Sequence, residues 1–175
     1  KEDSATLTNR SHEDWWLIGQ LHGLKTPLLD WTTSPYIAAF FAFHKKYTDE
    51  EKRCIYFLHR GIIQDKVREI KEIYPKFICP YYGDNQRLIS QSSQFSVFPS
   101  GENIEDWVRN NFSGHKIIVL GKIKVPNSIR LELLQALNRM NINYADLFPN
   151  IDGAAKHVNM SMEIPKYIGT WDEDA

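Results

Sequence analysis

The chain lacks most of the features that announce a function directly. Its 175 residues hold two cysteines, Cys54 and Cys79, far apart and outside any C-x-x-C pair. That excludes a disulfide framework and a cysteine zinc knuckle, and two buried thiols in a reducing compartment are expected. There is no glycine-rich dinucleotide or P-loop fingerprint. Neither a Gly-x-Ser-x-Gly elbow nor a Cys–His signature is present, which argues against ordinary nucleophilic hydrolysis. The six histidines (12, 22, 44, 59, 115 and 157) include no i,i+4 pair, so no metal site is expected. Charge of neither sign dominates: 21 Lys+Arg stand against 22 Asp+Glu. That balance points to no nucleic acid, membrane surface or acidic partner. No apolar run approaches the ~20 residues of a membrane span, and the polar opening KEDSATLTNRSHED has no signal-peptide core. A cytoplasmic protein with no membrane partner is the expectation. Repeats and low-complexity segments are absent.

What is present is an ordinary globular composition, 42% hydrophobic and 25% charged, long enough for a proper core. One stretch stands out, Asp14 to Ala42, with three of the five tryptophans (Trp15, Trp16, Trp31) and the polar set His22, Asp30, Thr32, Thr33 and Ser34. Apolar spacing predicts a helix from about Glu13 to Leu24, capped by Ser11 with Asp14 in its first turn and stopped at Gly23. Pro27 imposes an extended path. Ser34 and Pro35 open a second helix over Tyr36–Lys46, apolar almost all round and therefore central. Further on, strands are expected at 54–59, 95–98 and 116–125, the last being the clearest, and 77–82, interrupted by Pro80, is an edge strand or a loop entry. Helices are expected at 62–73, 87–94, 104–111 and 129–140, the last capped by Asn127 or Ser128. A short helix, a Phe–Pro turn and a final helix fill 141–160, with Asp152–Gly153 read as a turn and Lys156 and His157 facing solvent. Helices first and mixed strands later indicate an α+β fold. The expectation is a single compact domain, with a small mixed or antiparallel sheet flanked by helices. It spans 14–160, between an arm at 1–13 and an acidic tail at 161–175.

QLHGLKTPLLDWTTSPYIAAFFAF resembles the signature of the FRG domain family. Two later stretches, NQRLISQSSQF at 85–95 and MNINYADLFPNIDGAAKHV near the C-terminus, resemble that family's second and closing motifs. Leu21 and Ser92–Ser93 depart from the usual pattern. The aromatic–Arg–Gly triplet that gives the family its name is absent from the 175 residues. That leaves a fragment, a break before residue 14, or a true loss as open accounts. The resemblance implies bacterial toxin or phage-defence settings and, loosely, an ADP-ribosyltransferase-like layout acting on NAD.

On that layout Gln91, Asp30 and His22 are the catalytic candidates. Gln91 would orient a nucleophile, Asp30 would supply the negative charge an amide cannot, and His22 would bond a ribose hydroxyl. The opening of the second helix offers N–H groups to an anion, with hydroxyls of Thr32 and Ser34 beside it. Trp31 or Phe95 could stack on a base, and Arg87 completes the NAD-binding set. Each has a plainer reading: Asp30, Thr32 and Ser34 as caps, His22 as a helix-end residue, Trp31 as core or lid, Arg87 paired with a surface carboxylate. The expected partners are a nucleotide substrate, a nucleic-acid or protein target, and an antitoxin or fused domain. The rival reading is a non-catalytic module that binds nucleotide, RNA or protein. The enzyme reading requires the imidazole of His22 and the amide of Gln91 to share one hollow.

Overall fold

The structure, a computed structural model, describes residues 11–47, 51–80, 85–99 and 101–167. Its elements in chain order are α1 His12–Leu21, β1 Leu29–Thr32, α2 Pro35–Phe43, β2 Lys52–Leu58, α3 Arg60–Ile70, β3 Lys76–Ile78 and α4 Gln86–Ser90. They continue with β4 Ser93–Val97, α5 Ile104–Asn111, β5 Leu120–Pro126, α6 Arg130–Arg139, α7 Tyr144–Leu147 and α8 Ile151–Glu163. The α+β expectation is borne out. A three-stranded sheet runs β1-β4-β3 and a two-stranded one pairs β2 with β5. β3 and β4 are antiparallel, with Phe77 opposite Ser96 and Ile78 opposite Phe95. No helix among the described residues is long and apolar enough to cross a membrane.

The chain divides into two compact units. The first holds Lys1–Trp31, Leu58–Tyr81 and Ser93–Leu120; the second holds Thr32–Phe57, Tyr82–Ser92 and Gly121–Ala175. In the first unit, Ser11 and Asp14 cap α1 reciprocally, each side chain taking the other residue's backbone N–H. Ile63, Trp107 and Val119 form its apolar centre, and Phe98 and Phe112 meet the Trp107 ring edge-on. Lys76 donates to Glu13 at 2.7 Å. That hydrogen bond holds the carboxyl of Glu13, itself nearly buried, below its usual range.

In the second unit, Ser34 caps α2 and Pro35 opens it. Its core gathers Phe40 and Phe43 with Leu134, Leu137, Met160 and Ile164. The buried Arg130 donates to the carbonyls of Phe43 and His44 at 2.9 and 3.1 Å and to Glu163 at 2.6 Å. A cation thereby closes the C-terminal end of α2.

Several expectations need correction. Cys54 and Cys79 are exposed, not buried. Strand β5 begins at Leu120, so the first half of 116–125 is not strand. There Gly114 turns at φ +78, and the His115 ring accepts the Ile117 N–H at 3.2 Å, which pulls the chain out of ladder geometry. Neither Asn127 nor Ser128 caps α6. Asn127 instead accepts from Arg53 at 2.9 Å and donates to the Tyr47 carbonyl at 3.0 Å. Helix α2 buries Ile37, Phe40 and Phe43 and half-buries its alanines, but Tyr36 and Phe41 remain exposed. Asp152–Gly153 lies inside the first turn of α8 rather than in a turn between helices. His157 is half-buried, its ring centroid 5.5 Å from that of Tyr167. Helix α8 runs past residue 160 to Glu163, and Ile164 and Tyr167 are buried in the core of the second unit. The rest of the proposed tail, and residues 1–10 of the arm, lie outside the described residues.

Candidate functional site

The candidate residues are divided between the units. His22, Asp30, Trp31 and Phe95 belong to the first; Thr32, Ser34, Arg87 and Gln91 belong to the second. Each group is described within its own unit.

In the first unit the helix stop is built by local rules. Gly23 sits at φ +91, its N–H reaching the Gln20 carbonyl at 3.0 Å, while the Leu24 N–H reaches the Gly19 carbonyl at 2.8 Å. This pair of bonds is a Schellman motif, and only a residue free of the Cβ penalty adopts that φ cheaply. His22 is its C-cap and its side chain is exposed. Gln20 then ties the following extended segment to α1. Its amide nitrogen donates to Asp30 Oδ2 at 2.8 Å, and its amide oxygen accepts from the hydroxyl of Thr26. Asp30 is exposed. The indole N–H of the half-buried Trp31 donates to Ser96 Oγ at 2.8 Å. Phe95 is 3% exposed, so its ring packs inside the unit and is not offered as a platform for a base, a correction to its expected stacking role.

In the second unit the polar atoms are held more tightly. The Gln91 side chain is buried, and its Nε2 donates to the carbonyl of Leu147 at 2.9 Å. Its backbone carbonyl accepts from the Thr32 hydroxyl at 2.8 Å, which also accepts the Ser34 N–H at 3.1 Å. The Thr33 N–H reaches the Ser92 carbonyl at 3.3 Å. Ser34 Oγ accepts the Ile37 N–H as a cap. Arg87 lies over the Phe148 ring, 4.9 Å from its centroid. Residues from three separated stretches, 32–34, 87–92 and 147–148, are thus joined around Gln91.

The closing stretch adds a steric demand. A Cβ on Gly153 would lie 1.8 Å from the Phe148 carbonyl oxygen, while Asn150 caps α8 by accepting the Gly153 N–H at 2.9 Å. Sequence reasoning missed Gln20, Leu147 and Phe148 as partners. Gln20 carried a signal, since it stands inside the first stretch. A backbone carbonyl such as that of Leu147 carries none.

Chemically, the bonds of Gln91 and Thr32 are suited to fixing three segments in place. The first-unit cluster leaves a carboxylate and an imidazole facing water. Among the described residues, no group of three or more His, Cys, Asp or Glu side chains could hold a metal ion.

Residues 2–51 match the family model of the FRG domain. The matched span covers the first of the three stretches and stops before the other two. No curated protein and no solved structure matches the chain.

Proposed function

Starting from the FRG match over residues 2–51, we propose that the chain is a non-catalytic recognition module. It binds a partner and regulates what it is attached to, without turning a substrate over. One observation carries this reading: the carboxamide of Gln91, the leading catalytic candidate, is buried and donates to the Leu147 carbonyl. Drawing it away would leave a buried carbonyl unsatisfied, at a cost of about 1–3 kcal/mol. The Thr32 hydroxyl and the Ser34 cap are engaged in the same way. A transferase needs such groups free to meet the charge that develops in the transition state.

The competing reading is ADP-ribosyl transfer from NAD in a toxin or defence setting, with Gln91, Asp30 and His22 in the chemistry. It is favoured by the exposure of Asp30 and His22. Incubation with cell extract and with NAD labelled separately on the nicotinamide and on the adenine separates the two. The module reading expects no nicotinamide release above background and no label on any protein. Release that disappears in Gln91→Ala, with the fold retained by circular dichroism, would overturn it.

A further inference from the structure

The even charge of the whole chain conceals a local imbalance in the second unit. Residues 44–57 and 121–128 hold six lysines and arginines (Lys45, Lys46, Lys52, Arg53, Lys122, Lys124) against three acids (Asp49, Glu50, Glu51), a net of +3. The total is −1, so the rest of the chain sums to −4. Pairing of β2 with β5 gathers the excess. The Asn127 N–H reaches the Glu51 carbonyl at 2.8 Å, and Lys122 Nζ lies 4.9 Å from the centroid of the Tyr56 ring. These two contacts fix an antiparallel register, with Tyr56 across from Lys122 and Cys54 across from Lys124. Side chains alternate between the faces of the ribbon. Arg53 and Val125 turn inward, Arg53 buried and Val125 packed against the core. Lys52, Cys54 and Tyr56 therefore share the outer face with Lys122 and Lys124. The three lysines and Cys54 are exposed, and Tyr56 is half-buried. Glu51 falls on the inner side of the alternation. The outer face thus carries three cations and no carboxylate from either strand.

Such a face works against the fold. Lysine is a poor strand residue, and like charges on neighbouring positions of one face repel. Protecting a sheet edge calls for charge, but not for charge of one sign around an aromatic ring. We propose that this face binds a single-stranded nucleic acid. The inference rests on the recognition-module reading and names the partner of that module. Charge complementarity selects a polyanion. Lys122 and Lys124 stand about 7 Å apart along their strand, and Lys52 lies diagonal to Lys124 across the ladder. The three ammonium groups can follow one phosphate backbone. Tyr56 then selects among polyanions. An unstacked base lies on its ring while the ammonium of Lys122 moves from the ring to a phosphate. A duplex keeps its base faces inside the stack, and an acidic peptide has no base to offer. Cys54, set among Lys52, Lys124 and Tyr56, reports whether the face is covered.

The test is fluorescence anisotropy of labelled oligothymidylate and oligouridylate, titrated with the full chain at several salt concentrations. Three phosphate contacts on a single strand give a slope of log K against log salt of about −2. Combining Lys52→Gln, Lys122→Gln and Lys124→Gln is expected to weaken binding about tenfold or more and to flatten that slope, with circular dichroism unchanged. Combining Lys25→Gln, Lys71→Gln and Lys116→Gln, at lysines exposed elsewhere, makes the same change of net charge and should bind as the wild type does. Tyr56→Leu should weaken binding about fivefold or more at an unchanged slope. Bound oligonucleotide should slow alkylation of Cys54 by N-ethylmaleimide and leave Cys79, exposed in the first unit, as reactive as before. The proposal is overturned by no binding at low salt, by equal losses in the two triple variants, or by tighter binding of duplex DNA or polyglutamate. Cys54 reacting in the complex at its free rate overturns it too. These outcomes leave the module reading standing, because that reading falls on nicotinamide release.

Discussion

The two polar clusters differ in reach and in exposure. In the first unit, Gln20, Thr26 and Asp30 are bonded across six and ten residues of sequence, close to water. In the second, Gln91 is bonded to Thr32 across 59 residues and to Leu147 across 56, and its side chain is buried. A short-range exposed cluster forms with its own segment and gives up its bonds to water at little cost. A long-range buried one forms only with the whole unit and has no water to fall back on. The same signature stretch thus does two jobs. Up to Asp30 it finishes a local turn; from Trp31, whose indole donates to Ser96, onward it anchors distant chain.

The contrast predicts unequal sensitivity, greatest where backbone is closest. Gly153→Ala should be the most damaging single change. In an open helix, alanine in place of glycine would be favourable by about 1 kcal/mol. Here the new Cβ falls on the Phe148 carbonyl oxygen, which cannot move without breaking the Phe148–Asn150 turn. The net expectation is a loss of about 3 kcal/mol, at the upper end of overpacking costs, read as a lowered urea midpoint. An unchanged or raised midpoint would show that the turn yields easily and that the second unit is no stiffer than the first.

Next comes a direct pairing of the clusters. Gln91→Ala leaves the Leu147 carbonyl buried without its donor and opens a small void, so a loss of about 2–3 kcal/mol is expected. Gln20→Ala removes two bonds from an open site, where about 1 kcal/mol or less is expected. Equal losses in the two variants would erase the distinction between local and long-range clusters. A larger loss for Gln20→Ala would reverse it.

That distinction also decides what could be read from the chain before folding. The caps at Ser11 and Ser34, the proline at the start of α2, the stop at Gly23 and the helix at 104–111 all obey rules that reach four residues or fewer, and they were legible. Asn127 looked like a cap for the same local reason. It was taken instead by Arg53 and Tyr47, 74 and 80 residues away. The 116–125 stretch had strand composition throughout, yet a turn at Gly114 and one histidine ring withheld its first half from the ladder. Gln91 was singled out correctly as unusual. Its partner is a backbone carbonyl, identical at every position of the chain, so its task could not be inferred from residue types.

Acid should separate the units by where each loses support, a smaller effect than either substitution. In the second unit His44 is shielded from water among Phe40, Phe41 and Tyr144. Burial is the largest cause holding its pKa below 6.5, with the charges of Lys45 and Arg130 acting the same way and the Phe41 carbonyl opposing them. The unfolded chain therefore takes up this proton more readily than the native one. Stability credited to the neutral ring is complete above pH 6.5 and falls as the solution is acidified below it. In the first unit Glu13 has its pKa lowered from 4.5, chiefly by the hydrogen bond from Lys76. Its contribution is complete above pH 4.5 and fades only as the pH falls through the lowered native value. Urea midpoints measured from about pH 7.5 down to about pH 3.5 should thus decline in two stages. His44→Phe should flatten the upper stage, and Glu13→Gln the lower. If His44→Phe leaves the upper stage as steep as before, the imidazole is not the group that couples the second unit to pH.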